Sequence, residues 1–168
     1  MQTKDQELNY FLEPGSIFTC WQPYRIATVL GSGVSICLSD SVSKISGMNN
    51  VELPKQVGEE NLTKFANYSI PQLIEMMFEL GADKKNIEAH IIGGSFSKKY
   101  STRDIGKETV KEAKKILKKY NIPIINDDTG GTLGRKVLFD TNKGEIIVYK
   151  SKDLREKDWY GHKSIDYR

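Results

Sequence analysis

Few side chains in this sequence could carry covalent or metal chemistry. There are two cysteines, Cys20 and Cys37, and two histidines, His90 and His162. No ligand spacing links them, so no metal centre is expected. Two cysteines without a C-x-x-C motif cannot build a disulfide framework, which fits a reducing, cytoplasmic setting. Cys37 alternates within an apolar run and reads as a small buried hydrophobe. Cys20 stands beside Trp21 with no activating base nearby, which makes it a poor nucleophile. His90 falls inside an apparent strand and reads as a satisfied core or edge histidine. Asp127 and Asp128 are neighbours, and adjacent strand residues point to opposite faces. A turn or backbone-capping role suits them better than a shared acid–base site.

Three glycine-marked turns are the other candidates. Gly31-Ser32-Gly33 could begin a dinucleotide loop, but Ile36 stands where that fingerprint needs its third glycine. Gly130-Gly131-Thr132-Leu133-Gly134-Arg135-Lys136 faintly echoes a phosphate loop without its Lys-Ser/Thr ending. Both are expected to be tight turns that use glycine dihedrals. With Gly93-Gly94 they could gather at one end of a sheet and shape a site.

The elements that would position these turns follow from periodicity. Residues 1–16 read as a loose lead-in, and residues 17–150 as the domain. Short β-branched runs over 26–30 and 34–38 predict two strands, and residues 42–48 a third extended piece. Residues 55–67 are polar and predict a loop. Ser69 to Leu80 predicts a helix with Ser69 as N-cap and Gly81 as its left-handed stop. Ile87 to Ile92 predicts a strand. Gly106 to Tyr120 predicts a second helix, closed by Asn121 and Pro123, with Glu108–Lys111 and Glu112–Lys115 spaced to pair. Ile122 to Ile125 is apolar, as a buried strand would be. Residues 136–139 and 145–149 predict a hairpin around 140–144. The charged tail, residues 151–168, could fold over the surface as a helix or a clamp. This order gives an α+β fold, packed β-sheets with helices on the outside, rather than a doubly wound one.

Composition sets the outer limits. The chain has 168 residues, 38% hydrophobic and 28% charged, enough apolar content for one core. No apolar run approaches the roughly 18 residues of a membrane span, and the N-terminus does not read as a secretory signal. The net charge of +3 is too small to imply nucleic acid. Residues 81–120 nevertheless carry 11 basic and 5 acidic side chains. Most lie on the second helix (Lys107, Lys111, Lys114, Lys115, Lys118, Lys119), which reads first as a solvated face.

The order of the turns carries more than any one of them. Leu30-Gly31-Ser32-Gly33-Val34, Gly47-Met48-Asn49-Asn50, Leu53-Pro54, Gly93-Gly94, Ile105-Gly106, Asp128-Thr129-Gly130-Gly131 and Gly134-Arg135 together resemble the CheD family of chemoreceptor glutamine deamidases. The resemblance covers about residues 24–150. It implies an α+β fold similar to the catalytic domain of a deamidating bacterial toxin. It also implies hydrolysis of receptor glutamine amides to glutamate without a cofactor. In that chemistry a cysteine thiolate attacks the amide carbon, ammonia leaves, and water frees the acyl-enzyme. A histidine acts as base and then acid, and a threonine supports the site. The implied partners are the cytoplasmic domain of a chemoreceptor and CheC- or CheX-type CheY-phosphate phosphatases, with no nucleic acid and no membrane insertion. The implied binding frame is Gly31, Met48, Asn49, Gly93, Gly94, Gly130 and Gly131.

The catalytic positions depart from the family pattern. Gly33 stands at the cysteine, Asn50 at the histidine and Ala27 at the threonine, with Thr28 one place off. His90 stands where lysine is usual, and Thr109 where asparagine is. Glycine cannot form an acyl-enzyme, and asparagine does not exchange protons near neutral pH. The expectation is a non-catalytic module that binds a receptor or a phosphatase. The alternative is a deamidase rebuilt on Ser32, Thr28 or Cys20 as nucleophile, with His90 or an acidic group as base.

Overall fold

The computed structural model describes residues 8–159. Its strands are β1 (Leu8–Phe11), β2 (Ile17–Cys20), β3 (Tyr24–Leu30), β4 (Val34–Asp40), β5 (Ser46–Asn49), β6 (Ile87–Gly93), β7 (Ile124–Thr129), β8 (Gly134–Asp140) and β9 (Glu145–Ser151). Its helices are α1 (Ala66–Glu79), α2 (Ile105–Lys119) and the single turn α3 (Glu156–Trp159). The strands form two mixed sheets, a four-stranded one ordered β1-β3-β8-β9 and a five-stranded one ordered β2-β5-β4-β6-β7. This is the α+β architecture expected.

Alternation along β4 and β6 decides the layering. Ile36, Leu38, Ala89 and Ile91 face the helices and pack with Ile70, Leu73, Ile74, Met77, Ala113 and Leu117. Cys37, Met48 and Ile92 face the other way and meet Leu12, Ile26, Leu30, Val137 and Phe139 of the four-stranded sheet. The five-stranded sheet is therefore the middle layer, and its central strands β4 and β6 are buried along nearly their whole length.

Both long helices end as the sequence suggests. Gly81 has φ +103, its N–H donates to Phe78 O, and Ala82 N–H donates to Met77 O. Asn121 has φ +55 and repeats the motif with Lys118 O and Ile122 N–H with Leu117 O. The hairpin over β8 and β9 is also as expected, with Gly144 at φ +66.

Five local expectations are corrected. Residues 8–11 are no loose lead-in: they pair with β3 in parallel, and Leu12 is fully buried. The helix begins at Ala66, not Ser69, because loop carbonyls serve in place of a side-chain cap. Ala66 N–H donates to Leu53 O and Asn67 N–H to Pro54 O, while Ser69 is buried inside the helix. The third extended piece starts only at Ser46, because Lys44 sits at φ +65 after a turn held by Asp40. β7 is an edge strand with Ile125 half exposed; only Ile122 beside it is buried. Finally, Glu108 pairs with Arg103 rather than Lys111.

Within the tail, Ser151 completes β9 and Asp158 of α3 meets Lys136 at 3.0 Å. Residues 160–168, with Tyr160, His162 and Tyr167, lie outside the described residues. Among the described residues no helix is long and apolar enough to cross a membrane.

Candidate functional site

Three glycine turns meet at one end of the two sheets. Gly94 N–H donates to Gly33 O at 2.8 Å, and Gly130 N–H donates to Gly93 O at 2.9 Å. Ser95 Oγ donates to Gly31 O at 2.7 Å, and Phe96 N–H to Gly131 O at 2.8 Å. Gly31, Gly33, Gly93, Gly94, Gly130 and Gly131 thus form one frame, as their order along the chain suggested.

The glycines serve different ends. Gly130 and Gly131 adopt φ +82 and +73 and have open space where a Cβ would be, so they are there for conformation. Gly33 has an ordinary backbone, which corrects the expectation that its turn needs a glycine dihedral. What it lacks is room: a Cβ there would lie 3.1 Å from Val51 O and 3.2 Å from Asn50 Oδ1.

That second contact joins two positions seventeen residues apart in sequence. A side chain at 33 would point at Asn50, the positions that the resemblance gives to nucleophile and base. Asn50 is buried, and its Nδ2 donates to Thr28 Oγ1 at 2.9 Å and to Val29 O at 3.2 Å. Thr28, also buried, donates from Oγ1 to Leu12 O at 2.7 Å. Its proton is committed to that carbonyl, so the hydroxyl is not poised to attack anything. Ala27 lies on the opposite face of β3, paired in register with Phe11 and Leu138. Thr28, not Ala27, is the β3 residue that meets Asn50.

The cleft over this chain holds about 170 Å³ and is lined by Pro14, Val29, Leu30, Gly31, Ser32, Gly33, Asn50 and Glu52. Ser32 is exposed and also lines an adjoining groove of about 660 Å³, with Glu52, Phe96, Tyr100, Arg103 and Leu154. Glu52, Ser95 and the groove residues were not visible as site residues in the sequence, because a distant fold alone brings them to Ser32.

The other candidates lie elsewhere. Cys20 pairs with Ser46, which pairs with Ser39, six residues or about 20 Å along the strand direction from Gly33. Burial raises its pKa, with Thr141 opposing. Cys37 is fully buried, and desolvation drives its thiol far above the ordinary range. His90 pairs with Cys37, four residues or about 13 Å from Gly33. Burial lowers its pKa, with Glu88 and the Gly144 backbone opposing. Its Nδ1 has no partner, so it is buried but not satisfied as expected. Met48 sits in the intersheet core. Asn49 accepts from Ile36 N–H at 2.9 Å and donates to Ser69 Oγ at 3.1 Å, which ties β5 to β4 and α1.

Asp127 and Asp128 do point to opposite faces, but they form ion pairs rather than turns or caps. Asp127 meets Lys114 of α2; Asp128 meets Arg135 at 3.2 Å and Lys150 at 3.0 Å. Burial pushes the Asp128 carboxyl up, yet those two cations outweigh it and hold it below the usual range. Arg135 is buried and also donates to Gly130 O at 2.9 Å, so it anchors the Gly130–Gly131 turn.

Comparison with known proteins gives the family. Residues 50–150 match the family model described as CheD chemotactic sensory transduction. The chain is 42% identical over 134 residues to a probable chemoreceptor glutamine deamidase CheD of Clostridium novyi, covering 75% of this chain and 83% of that protein. It is 35% identical over 140 residues to a protein so named in Anaeromyxobacter dehalogenans, covering 82% of each. It is 34% identical over 145 residues to another in Methanococcus maripaludis, covering 84% of this chain and 94% of the relative. The chain belongs to the CheD family of chemotaxis proteins.

Proposed function

We propose that this protein binds the cytoplasmic helices of a chemoreceptor and does not hydrolyse their glutamine amides. The observation that carries this reading is the placement of Asn50 against Gly33: a Cβ at Gly33 would lie 3.2 Å from Asn50 Oδ1. Where a thiol and an imidazole would face each other, there is a backbone and a primary amide. The amide is bonded to Thr28 and Val29, so the buried end of the cleft is held by structural hydrogen bonds. With no thiol at position 33 and no imidazole at position 50, the family's covalent route has no first step at these positions. The glycine frame around the cleft is intact, and that is what a binding module needs. A CheC- or CheX-type phosphatase is a second partner under the same reading.

The test is mass spectrometry of a chemoreceptor cytoplasmic fragment after incubation with the protein, beside a verified family enzyme. Expected are retention of the fragment in a pull-down and no Gln-to-Glu conversion above the protein-free control. Conversion would overturn the non-catalytic reading. Ser32, exposed on the cleft wall, would then be the residue to replace first.

A further inference from the structure

The solvent face of α2 is a lysine stripe. At 100° per residue Lys107, Lys111, Lys115 and Lys118 fall within about 80° of each other, with Lys119 just beyond. All five are exposed, while Val110, Ala113, Ile116 and Leu117 on the other side are buried. Neighbouring charges have partners: Lys114 pairs with Asp127, and Glu108 with Arg103. The five stripe lysines pair with no carboxylate among the described residues.

This arrangement works against the helix that carries it. Lys107–Lys111, Lys111–Lys115 and Lys115–Lys119 are like charges at i,i+4, and each pair destabilises a helix. Lys118 and Lys119 gain from the C-terminal end of the dipole, but Lys107 stands in the first turn, where a cation is disfavoured. Glu112, three residues before Lys115, offsets only part of this repulsion; among the described residues no carboxylate pairs with the stripe, and local rules broken in this way point to use by a partner.

The stripe also starts at the candidate site. Gly106, at the head of α2, packs so closely on Gly94 that a Cβ would lie 2.5 Å from Gly94 O. Gly94 is in turn bonded to Gly33. From Lys107 the stripe runs away from that contact for about 18 Å, the length of a rod-like partner's footprint.

We propose that this face docks an acidic helical protein surface, namely receptor helices that carry glutamate where glutamine has been hydrolysed. The proposal rests on the receptor-binding reading above. Charge complementarity selects a carboxylate-bearing partner, and the straight line of charges suits a helix lying alongside. A membrane is disfavoured, because the apolar face of α2 is sealed in the core and cannot insert. Nucleic acid is disfavoured, because the stripe has neither aromatic rings for stacking nor arginine forks.

The test measures affinity for a receptor cytoplasmic fragment in all-Gln and all-Glu forms, at roughly 50–300 mM salt, over which the Debye length falls from about 14 Å to about 6 Å. The wild type is compared with Lys111→Gln/Lys115→Gln/Lys118→Gln, and circular dichroism checks the fold. Vesicles of phosphatidylserine and phosphatidylcholine serve as a second probe. Expected is tighter binding of the Glu form, weakened about tenfold by the triple substitution, with a flatter salt dependence. Binding of both forms to wild type and variant alike would overturn this proposal and leave receptor binding standing. Binding of neither form by the wild type would overturn both. Lysine-dependent binding of vesicles, with no lysine dependence toward the fragment, would assign the stripe to a lipid surface and overturn the proposal.

Discussion

Asn50 Nδ2 donates to Thr28 Oγ1 at 2.9 Å, and Thr28 Oγ1 in turn donates to Leu12 O at 2.7 Å. The chain of bonds runs from β5's end through β3 to the segment after β1, all of it buried. Asn50→Ala removes the donor to Thr28 and Val29 and is expected to cost about 1–3 kcal/mol in urea unfolding. Asn50→Asp sets a carboxylate against Val29 O and an already committed hydroxyl. Burial there raises the folded pKa above the unfolded value of roughly 3.9. The neutral acid is then the form the fold accepts, so the deficit is smallest below that pH and grows as pH rises. Unfolding at about pH 4 and at about pH 7 reads this directly; an equal deficit at both would show that Asn50's surroundings are solvated.

Installing the thiol and imidazole that the CheD resemblance gives to positions 33 and 50 tests whether the frame can support them. Gly33→Cys meets Val51 O and Asn50 Oδ1 at slightly short range, but its backbone is ordinary, so small shifts suffice. With Asn50→His as well, a thiol and an imidazole share the buried end of the cleft. The double variant is expected to deamidate a receptor fragment about 10²-fold or more faster than Gly33→Cys alone, the usual contribution of a positioned base. Equal rates would mean that position 50 no longer aims at position 33.

His90 sets an acid limit on stability. Burial lowers its pKa, and the attraction of Glu88 and the bond to the Gly144 backbone recover only part of that. The other groups around its cavity are Asp40, Lys44 and Lys143. A folded pKa below the unfolded value of 6.5 means that stability is full above that pH and lost as pH falls through the folded pKa. Stability is therefore expected to drop between about pH 7 and pH 5, by less than ~1.4 kcal/mol per pH unit, the limit for one proton. His90→Gln should flatten that interval. Asp40, Asp127 and Asp128, whose pKa values are lowered, add a separate loss that lies below 3.8. A variant curve parallel to wild type from pH 7 to 5 would place the proton uptake elsewhere.

Much of the fold was legible because its signals are local. The apolar period of α2, the left-handed stops at Gly81 and Asn121 and the β8–β9 turn all depend on residues within a few positions. What escaped depends on residues far apart. The start of α1 is fixed by Leu53 O and Pro54 O, so no capping side chain marks it in the sequence, and Ser69 looks like the cap only because it is a good capping residue type. β1 pairs in parallel with β3, and four residues, Leu8–Phe11, are too short a run to reveal that partner. At the site, the glycine turns could be read from the sequence as candidates to gather at one end of a sheet, and the structure brings them together. The sequence could not tell which β3 residue meets Asn50, because the twofold alternation of β3 depends on packing against the opposite sheet. Thr28 is inward, and Ala27, one residue away, is not.

The closeness of Gly94 and Gly106 gives the last prediction. A Cβ on Gly106 would lie 2.5 Å from Gly94 O and 2.8 Å from Gly94 Cα. Both obstacles are backbone, and the carbonyl belongs to a residue whose N–H is already bonded to Gly33. Relief therefore requires α2 to move off β6 or the Gly93–Gly94 turn to move off Gly33. In an exposed helix Gly→Ala stabilises by about 1 kcal/mol through propensity. Here the overpacking term opposes it with about 1–3 kcal/mol or more. Gly106→Ala is thus expected to lower the urea midpoint with an unchanged m-value. It should also weaken binding of a receptor fragment, because the lysine stripe and the cleft would no longer hold their relative position. A midpoint raised by the substitution would show that α2 is not seated on the glycine turn.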